Sequence, residues 1–259
     1  AMENFDHDYI KKKMPTDDSV RYDHITTKMG VLVVAGPKSR ELMNRVSDAD
    51  FSNEAFPWLS SQRIDIGFAD SIVARVNFVG ELGWEIHHPM EMQNHVFDTL
   101  MNAGVDLGIK PFGIRAMESM RLEKSYRLVG TELSIEYSAY ESGLHRFVHP
   151  NKGDFIGRNA LLEWKDRGFE NHFVTLEVHD VTDADALGNN PIYLNNEIVG
   201  RATGGGYGFR TGKSLALAMV RPDLAAEGTE FEMDILGTRH KVTVIPESPY
   251  DPNNKRLRA

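Results

Sequence analysis

Glu81 sits between two glycines in VNFVGELGWEI, residues 76–86. A carboxylate presents two acceptor oxygens and suits a planar ligand with two parallel N–H donors, such as the N3–H and 2-amino group of a pterin or guanine. Gly80 and Gly83 would admit a flat ring close to the backbone. An acid in a turn is equally at home as a solvated residue, so the two readings stand side by side. A second concentration of charge lies in PFGIRAMESMRLEKSYR, residues 111–127. There Glu118 with Arg121 and Glu123 with Arg127 are acid-first pairs at helical spacing, serving either as ligand contacts or as ordinary helix pairs.

Other patterns carry less. GFRTGKS, residues 208–214, has one residue too few between its glycines for a phosphate-cradling loop, and a strand pattern follows it where that loop needs a helix. TGGGYG, residues 203–208, misses the spacing of a dinucleotide fingerprint, and its glycines are expected to allow a bulged turn. His145 and His149 fall where Phe147 and Val148 suit a strand, which sets the two rings too far apart for one ion, while His87 and His88 point to opposite faces of theirs. No metal site is expected. Nothing marks a nucleophile elbow, so no catalytic residue is assigned on composition or spacing.

The elements that must hold these residues follow from periodicity. Ile72, Ala74, Val76 and Phe78 alternate on one face, and Trp84 and Ile86 resume the alternation on the return, which predicts a hairpin with Glu81 at its tip. GVLVVA from Gly30 reads as a buried strand leading into a helix begun at Pro37, with Leu42, Met43 and Val46 at helical spacing. Further helices are predicted from near Met90 to Gly104, from Pro111 through the charged run, and from Arg158 to Gly168. From His172 the pattern changes to five short β-rich segments, HFVTLEVH, NEIVGRATG, KSLALAMV, FEMDIL and KVTVIP, as in a small barrel or sandwich. The fold class is therefore α+β, with a mixed α/β region over residues 1–170 and a β-barrel over 171–259.

With 259 residues and 41% apolar content the chain can bury a substantial core. Its formal charge of −9 disfavours nucleic acid or an anionic membrane surface as a partner, because both reward clustered Lys and Arg. The absence of cysteine removes disulfides, thiolate metal sites and cysteine nucleophiles, and it permits a reducing compartment, here taken as the cytoplasm. No apolar run reaches membrane-spanning length, and AMENFDHDYIKKKMP lacks the apolar core of a signal peptide.

GVLVVAGPKSRELM from Gly30, VGELGWEIHHP from Val79, NAGVDLGIKPFGIRAMESMRLEKSYRLVGTEL from Asn102, ESGLHRFV from Glu141, DFIG from Asp154 and EIVGRATGGGYGFRTGKSLALAMV from Glu197 form an ordered set. Together they resemble the aminomethyltransferase family, the folate-dependent T-protein of glycine cleavage, over almost the whole chain. GELGWE, MRLEK, SGLHRFV and the ending PYDPNNKRLRA are similar to the C-terminal folate-binding half of dimethylglycine and sarcosine dehydrogenases. The resemblance implies a folate-binding α/β region followed by a small barrel, and transfer of a one-carbon unit from a methylamine-type donor, such as dimethylglycine or sarcosine, to tetrahydrofolate. It places the pterin-clamping acid at Glu81 and the wider ligand-contacting set at Phe78, Trp84, Met117, Arg121 and Arg210. Arg201, Arg210 and Lys213 of the barrel are expected to face the glutamyl end of the ligand.

The chain departs from the family pattern at particular positions. Met117 stands where T-proteins carry Arg, Glu118 where they carry Asp, and Phe78 and Val79 replace a Tyr and a Thr. The family's catalytic Asp precedes the GVLVVAGP strand, where this chain has too little sequence to hold it; Asp17 and Asp18 stand in the wrong context to replace it. The α/β region is thus expected to be N-terminally incomplete. FAD enters only if a dehydrogenase domain lies upstream, and a flavin domain or separate oxidoreductase would then be the partner. The alternative function is a folate-binding sensor or assembly module without transferase activity.

Overall fold

The computed structural model describes residues 2–181 and 183–259. The chain forms two compact units; residues 2–77, 81–111 and 256–259 make the first, and 78–80 with 112–255 the second.

In the first unit, α1 (Glu3–Lys13) buries no side chain. A four-stranded antiparallel sheet follows, built from β1 (Met29–Ala35), β2 (Ser61–Ile66), β3 (Ala69–Ala74) and β4 (Gly83–Pro89) in the order β1-β4-β3-β2. Two helices, α2 (Ser39–Val46) and α3 (Gln93–Ala103), bring Leu42, Met43, Val46, Val96 and Leu100 onto Val34, Ile66, Val73, Trp84 and Ile86. Burying side chains of this size stabilises by about 1.5–3 kcal/mol each. The expected buried strand at Gly30 is buried on one face only, since Val31 and Val33 are exposed while Val34 is covered. Helices lie over one side of the sheet, and alternation sends every second residue to the other.

The second unit holds α4 (Ile114–Leu122), α5 (Arg158–Arg167) and the strands β5 (His172–Val178), β6 (Pro191–Leu194), β7 (Glu197–Gly208), β8 (Lys213–Val220), β9 (Glu230–Ile235) and β10 (Thr238–Ile245). These six strands close a barrel in the order β10-β5-β8-β7-β6-β9. Small residues (Ala202, Ala216 and Ala218) alternate inside with Leu176, Ile192, Phe231 and Met233, so side chains fill the lumen. The opposite face of β8 is buried as well: Leu217 and Met219 pack with Phe173 and with Leu122 at the end of α4. That second contact fixes α4 against the barrel wall.

The structure corrects several sequence expectations. PIYL adds a sixth strand, β6, to the five expected. The triple glycine lies inside β7, where the register against β8 slips between Ala202 and Gly204, and the turn comes after it. His145 and Phe147 lie in a short 3-10 helix, where a strand was expected. The helix expected from Pro111 starts at Ile114 and stops at Leu122, so Glu123 and Arg127 do not share a helical face; Arg127 pairs with Glu247 at 2.8 Å instead. Beyond the helix end Ser125 adopts a left-handed φ of 56°, which turns the chain away from helical register.

Candidate functional site

The hairpin that carries Glu81 is present, with Val73 opposite Ile86 and Ala74 opposite Glu85, but its tip is wider than alternation predicts. β3 ends at Ala74, and residues 75–82 form an irregular connection. Arg75, expected on the polar face, is buried; its Nη1 donates to the Phe56 carbonyl at 2.8 Å and its Nη2 to the Ala259 carbonyl at 3.0 Å. Burial lowers its pKa, with the nearby Arg40 charge acting the same way. Arg75 keeps the inward alternation of Ala69, Ser71 and Val73, while Ile72 of the expected apolar face is exposed. The Arg75 N–H still donates to the Ser60 carbonyl at 2.9 Å, and the ladder ends at the next residue, where Val76 N–H turns back to the Ala74 carbonyl at 2.9 Å.

On the first unit's side of the connection, Asn77 Nδ2 donates to the Glu81 carbonyl oxygen. Gly36 N–H and Ser39 Oγ both donate to the Leu82 carbonyl, at 2.8 and 3.0 Å. Gly83 passes the Val34 carbonyl so closely that a Cβ would stand 2.7 Å from it, which excludes any other residue without a backbone shift. Glu81 itself is half-buried. Trp84 is not placed as a ligand contact: it is wholly inside the core, edge-on to Phe51 at 5.5 Å, with the Arg40 guanidinium 5.7 Å from its ring. Alternation alone could not separate a core tryptophan from a ligand-facing one.

On the second unit's side, Phe78 stacks on Tyr126 with ring centroids 5.7 Å apart and 29° between planes. Both rings are partly exposed. Burial pushes the Tyr126 hydroxyl above the ordinary tyrosine pKa, with Asp251 adding to the effect and Arg146 and Arg210 opposing it. Gly80, at φ +73°, lies on the aliphatic stem of Lys124, and a Cβ there would overlap that stem.

The segment after α4 organises this unit. Glu123 is fully buried, and its Oε1 accepts from the backbone N–H of Arg210 at 2.6 Å and of Thr211 at 2.8 Å, while its Oε2 accepts from Arg210 Nε. The Arg210 guanidinium also donates to the Val79 carbonyl at 3.0 Å and the Met120 carbonyl at 2.8 Å, and it lies 3.8 Å over the Tyr250 ring. Lys124, equally buried, donates from Nζ to the carbonyls of Tyr250 and Asp251 at 3.0 and 2.7 Å. Arg121 is buried against Glu118 and donates to the Tyr126 carbonyl at 2.9 Å. Glu132, 3.8 Å from Arg121, accepts from Leu128 N–H, Thr131 and Thr203. Buried charges persist only when paired and hydrogen-bonded in this way.

The structure therefore places Phe78, Met117, Arg121 and Arg210 in one unit, and Glu81 and Trp84 in the other. Met117 is partly exposed on α4. The three barrel cations expected at a glutamate tail each hold a protein acid: Arg210 holds Glu123, Lys213 holds Glu177 at 2.5 Å, and Arg201 holds Glu136. Sequence reasoning missed Tyr126, although it lies in the quoted MRLEKSYR run, because its stacking depends on where α4 ends. Asp17 accepts from Ser19 N–H and Oγ in an exposed turn, which accounts for its lowered pKa and gives it a local capping role. Among the described residues no group of three His, Asp or Glu could hold a metal, and no helix is long and apolar enough to cross a membrane.

Comparison with known proteins bears on the whole chain. The GCVT N-terminal domain matches residues 1–152, and the glycine cleavage T-protein C-terminal barrel domain matches residues 171–251. Mitochondrial dimethylglycine dehydrogenase of Homo sapiens is 36% identical over 92% of this chain and 28% of its own length. The 4-methylaminobutanoate oxidase (formaldehyde-forming) of Paenarthrobacter nicotinovorans is 34% identical over 90% of this chain and 28% of its own. An aminomethyltransferase of Caldanaerobacter subterraneus subsp. tengcongensis is 28% identical over 92% of this chain and 63% of its own. The chain thus spans just over a quarter of the first two relatives. In fold it is similar to the crystal structure of glycine cleavage system aminomethyltransferase T from Bartonella henselae, with a TM-score of 0.76 and 21% identity over 86% of this chain and 60% of that one. With both of its regions matched in order, the chain belongs to the glycine cleavage T-protein family.

Proposed function

We propose that the chain binds tetrahydrofolate and supports transfer of a one-carbon unit to it from a methylamine-type donor. The observation that carries this reading is the connection 75–82, where a half-buried carboxylate, Glu81, stands one short step along the chain from a stacked aromatic residue, Phe78. An acid that accepts paired N–H donors and an aromatic face that takes a flat ring are the two chemistries a pterin requires. Glu81 would hold the pterin's N–H edge. When bound, tetrahydrofolate supplies nitrogens that accept a one-carbon unit at the formaldehyde level.

The chain's own residues would contribute orientation. Holding a reactant in one pose beside an incoming electrophilic carbon makes a bimolecular encounter effectively unimolecular and limits loss of that carbon to water. Dimethylglycine, sarcosine or a related amine is the proposed donor, oxidised by a flavin domain or partner oxidoreductase with FAD, and a reducing compartment such as the cytoplasm is the proposed location. No catalytic acid is assigned.

The test is calorimetric titration of the chain with 5-formyltetrahydrofolate, followed by supplying the chain and tetrahydrofolate to a turning-over flavin-dependent methylamine oxidase. Saturable binding together with a shift of product from free formaldehyde to methylene-tetrahydrofolate is the expected result. Binding without that shift would favour a folate-binding module that is not a transferase, and no binding would overturn the proposal.

A further inference from the structure

We propose that Arg210 is a positioning residue for the ligand-reading connection, acting through the backbone of Val79, and that it does not read the folate tail. The inference rests on the folate reading above and says how that site is held. Val79 and Gly80 are buried yet belong to no strand, so their backbone groups need partners other than a ladder. Arg210 Nη1 donates to the Val79 carbonyl at 3.0 Å. That peptide lies in the connection one residue before Glu81 in sequence, so one hydrogen bond fixes the backbone that leads into the proposed ligand-reading acid.

Arg210 can act as a rigid anchor because its side chain is itself over-determined. Its Nε is bound to Glu123, its Nη2 to the Met120 carbonyl at 2.8 Å, and its face lies on Tyr250. Glu123 also takes the backbone N–H groups of Arg210 and Thr211, so the turn carrying the arginine is fixed along with the side chain. A planar fork presents its donors in fixed directions toward a carboxylate and two separate carbonyls, a geometry that the compact ammonium on a flexible stem does not reproduce. Gly80, pressed on the stem of Lys124, gives the same segment a second support. A cation meant for a mobile ligand tail would keep its donors facing outward, whereas those of Arg210 face Glu123, Val79 and Met120.

The deciding experiment compares wild type, Arg210→Lys, Arg210→Ala and Thr211→Val. Each is titrated with the monoglutamate and the triglutamate of 5-formyltetrahydrofolate, and each is followed by hydrogen–deuterium exchange without ligand. Arg210→Lys keeps a charge beside Glu123 and is the variant of choice if Arg210→Ala does not fold. Expected for Arg210→Lys is a loss of affinity of about tenfold, the same for both ligands, with faster exchange confined to residues 76–82. Thr211→Val removes a hydroxyl near Glu123 but leaves the Val79 anchor, so its affinity and exchange should match wild type. Unchanged monoglutamate affinity in Arg210→Lys, loss of the triglutamate preference alone, faster exchange throughout the barrel unit, or an equal loss in Thr211→Val would each overturn the inference. If wild type binds neither ligand the folate reading fails, while the exchange pattern still decides whether Arg210 holds residues 76–82.

Discussion

Glu81 is the residue on which the functional reading turns, and since an acid between Gly80 and Gly83 serves equally as a solvated turn residue, binding has to separate the two readings. If it accepts two N–H bonds from a pterin, Glu81→Gln sets a donor against a donor and should weaken binding by ~2–4 kcal/mol, measurable by calorimetry with 5-formyltetrahydrofolate. Equal affinities would remove Glu81 from the site. Tyr126 gives a prediction of a different kind. Its folded pKa is raised, chiefly by burial, so the neutral phenol favours the folded state; that contribution is intact below the unfolded value of about 10 and is lost as pH rises through the folded value. Spectrophotometric titration should therefore show one phenol ionising late in wild type and missing in Tyr126→Phe. The acid that Arg210 holds, Glu123, is 87 positions away, and a chain read linearly shows the cation without that partner. Trp84 is buried, and alternation identifies a face and not what covers it.

At the scale of elements, strands and helices were legible in their interiors and obscure at their ends. Period-two alternation through Val76 and Phe78 extends β3 beyond Ala74, because side-chain pattern cannot register the tight turn at which Val76 N–H donates back to the Ala74 carbonyl. The helix after Pro111 was likewise drawn too long at both ends, and the supposed Glu123 and Arg127 pair disappeared with the last turn. What replaces that turn is a buried polar network around Glu123, Lys124 and Arg210. Removing one member of a buried charged pair leaves the other uncompensated, so Glu123→Ala should cost about 3–5 kcal/mol in urea unfolding, as a lower midpoint with an unchanged slope. Gly80→Ala should cost about 1–3 kcal/mol from its left-handed backbone alone, with more from the overlap on Lys124. A Gly80→Ala protein as stable as wild type would mean the segment relaxes freely and is not held as described.

At the scale of the molecule, the architecture was readable because the change from helical to strand periodicity at His172 is abrupt and coincides with the start of β5. The strand PIYL escaped notice because a Pro-led run of four carries almost no alternation. Met233, wholly inside the barrel, should cost about 2–5 kcal/mol when cut to alanine, seen as a lower melting temperature. Closure of that barrel also bears on how the chain is made. β10 pairs with β9 beside it in sequence and with β5, whose Thr175 lies opposite Ile245. Strands β5 to β9 can associate as soon as they emerge from the ribosome, but the ring stays open, with two unpaired edges, until its last strand has been synthesised. Open edges recruit other chains, so a product stopped after Leu236 should aggregate on synthesis even though most of its interior residues are present.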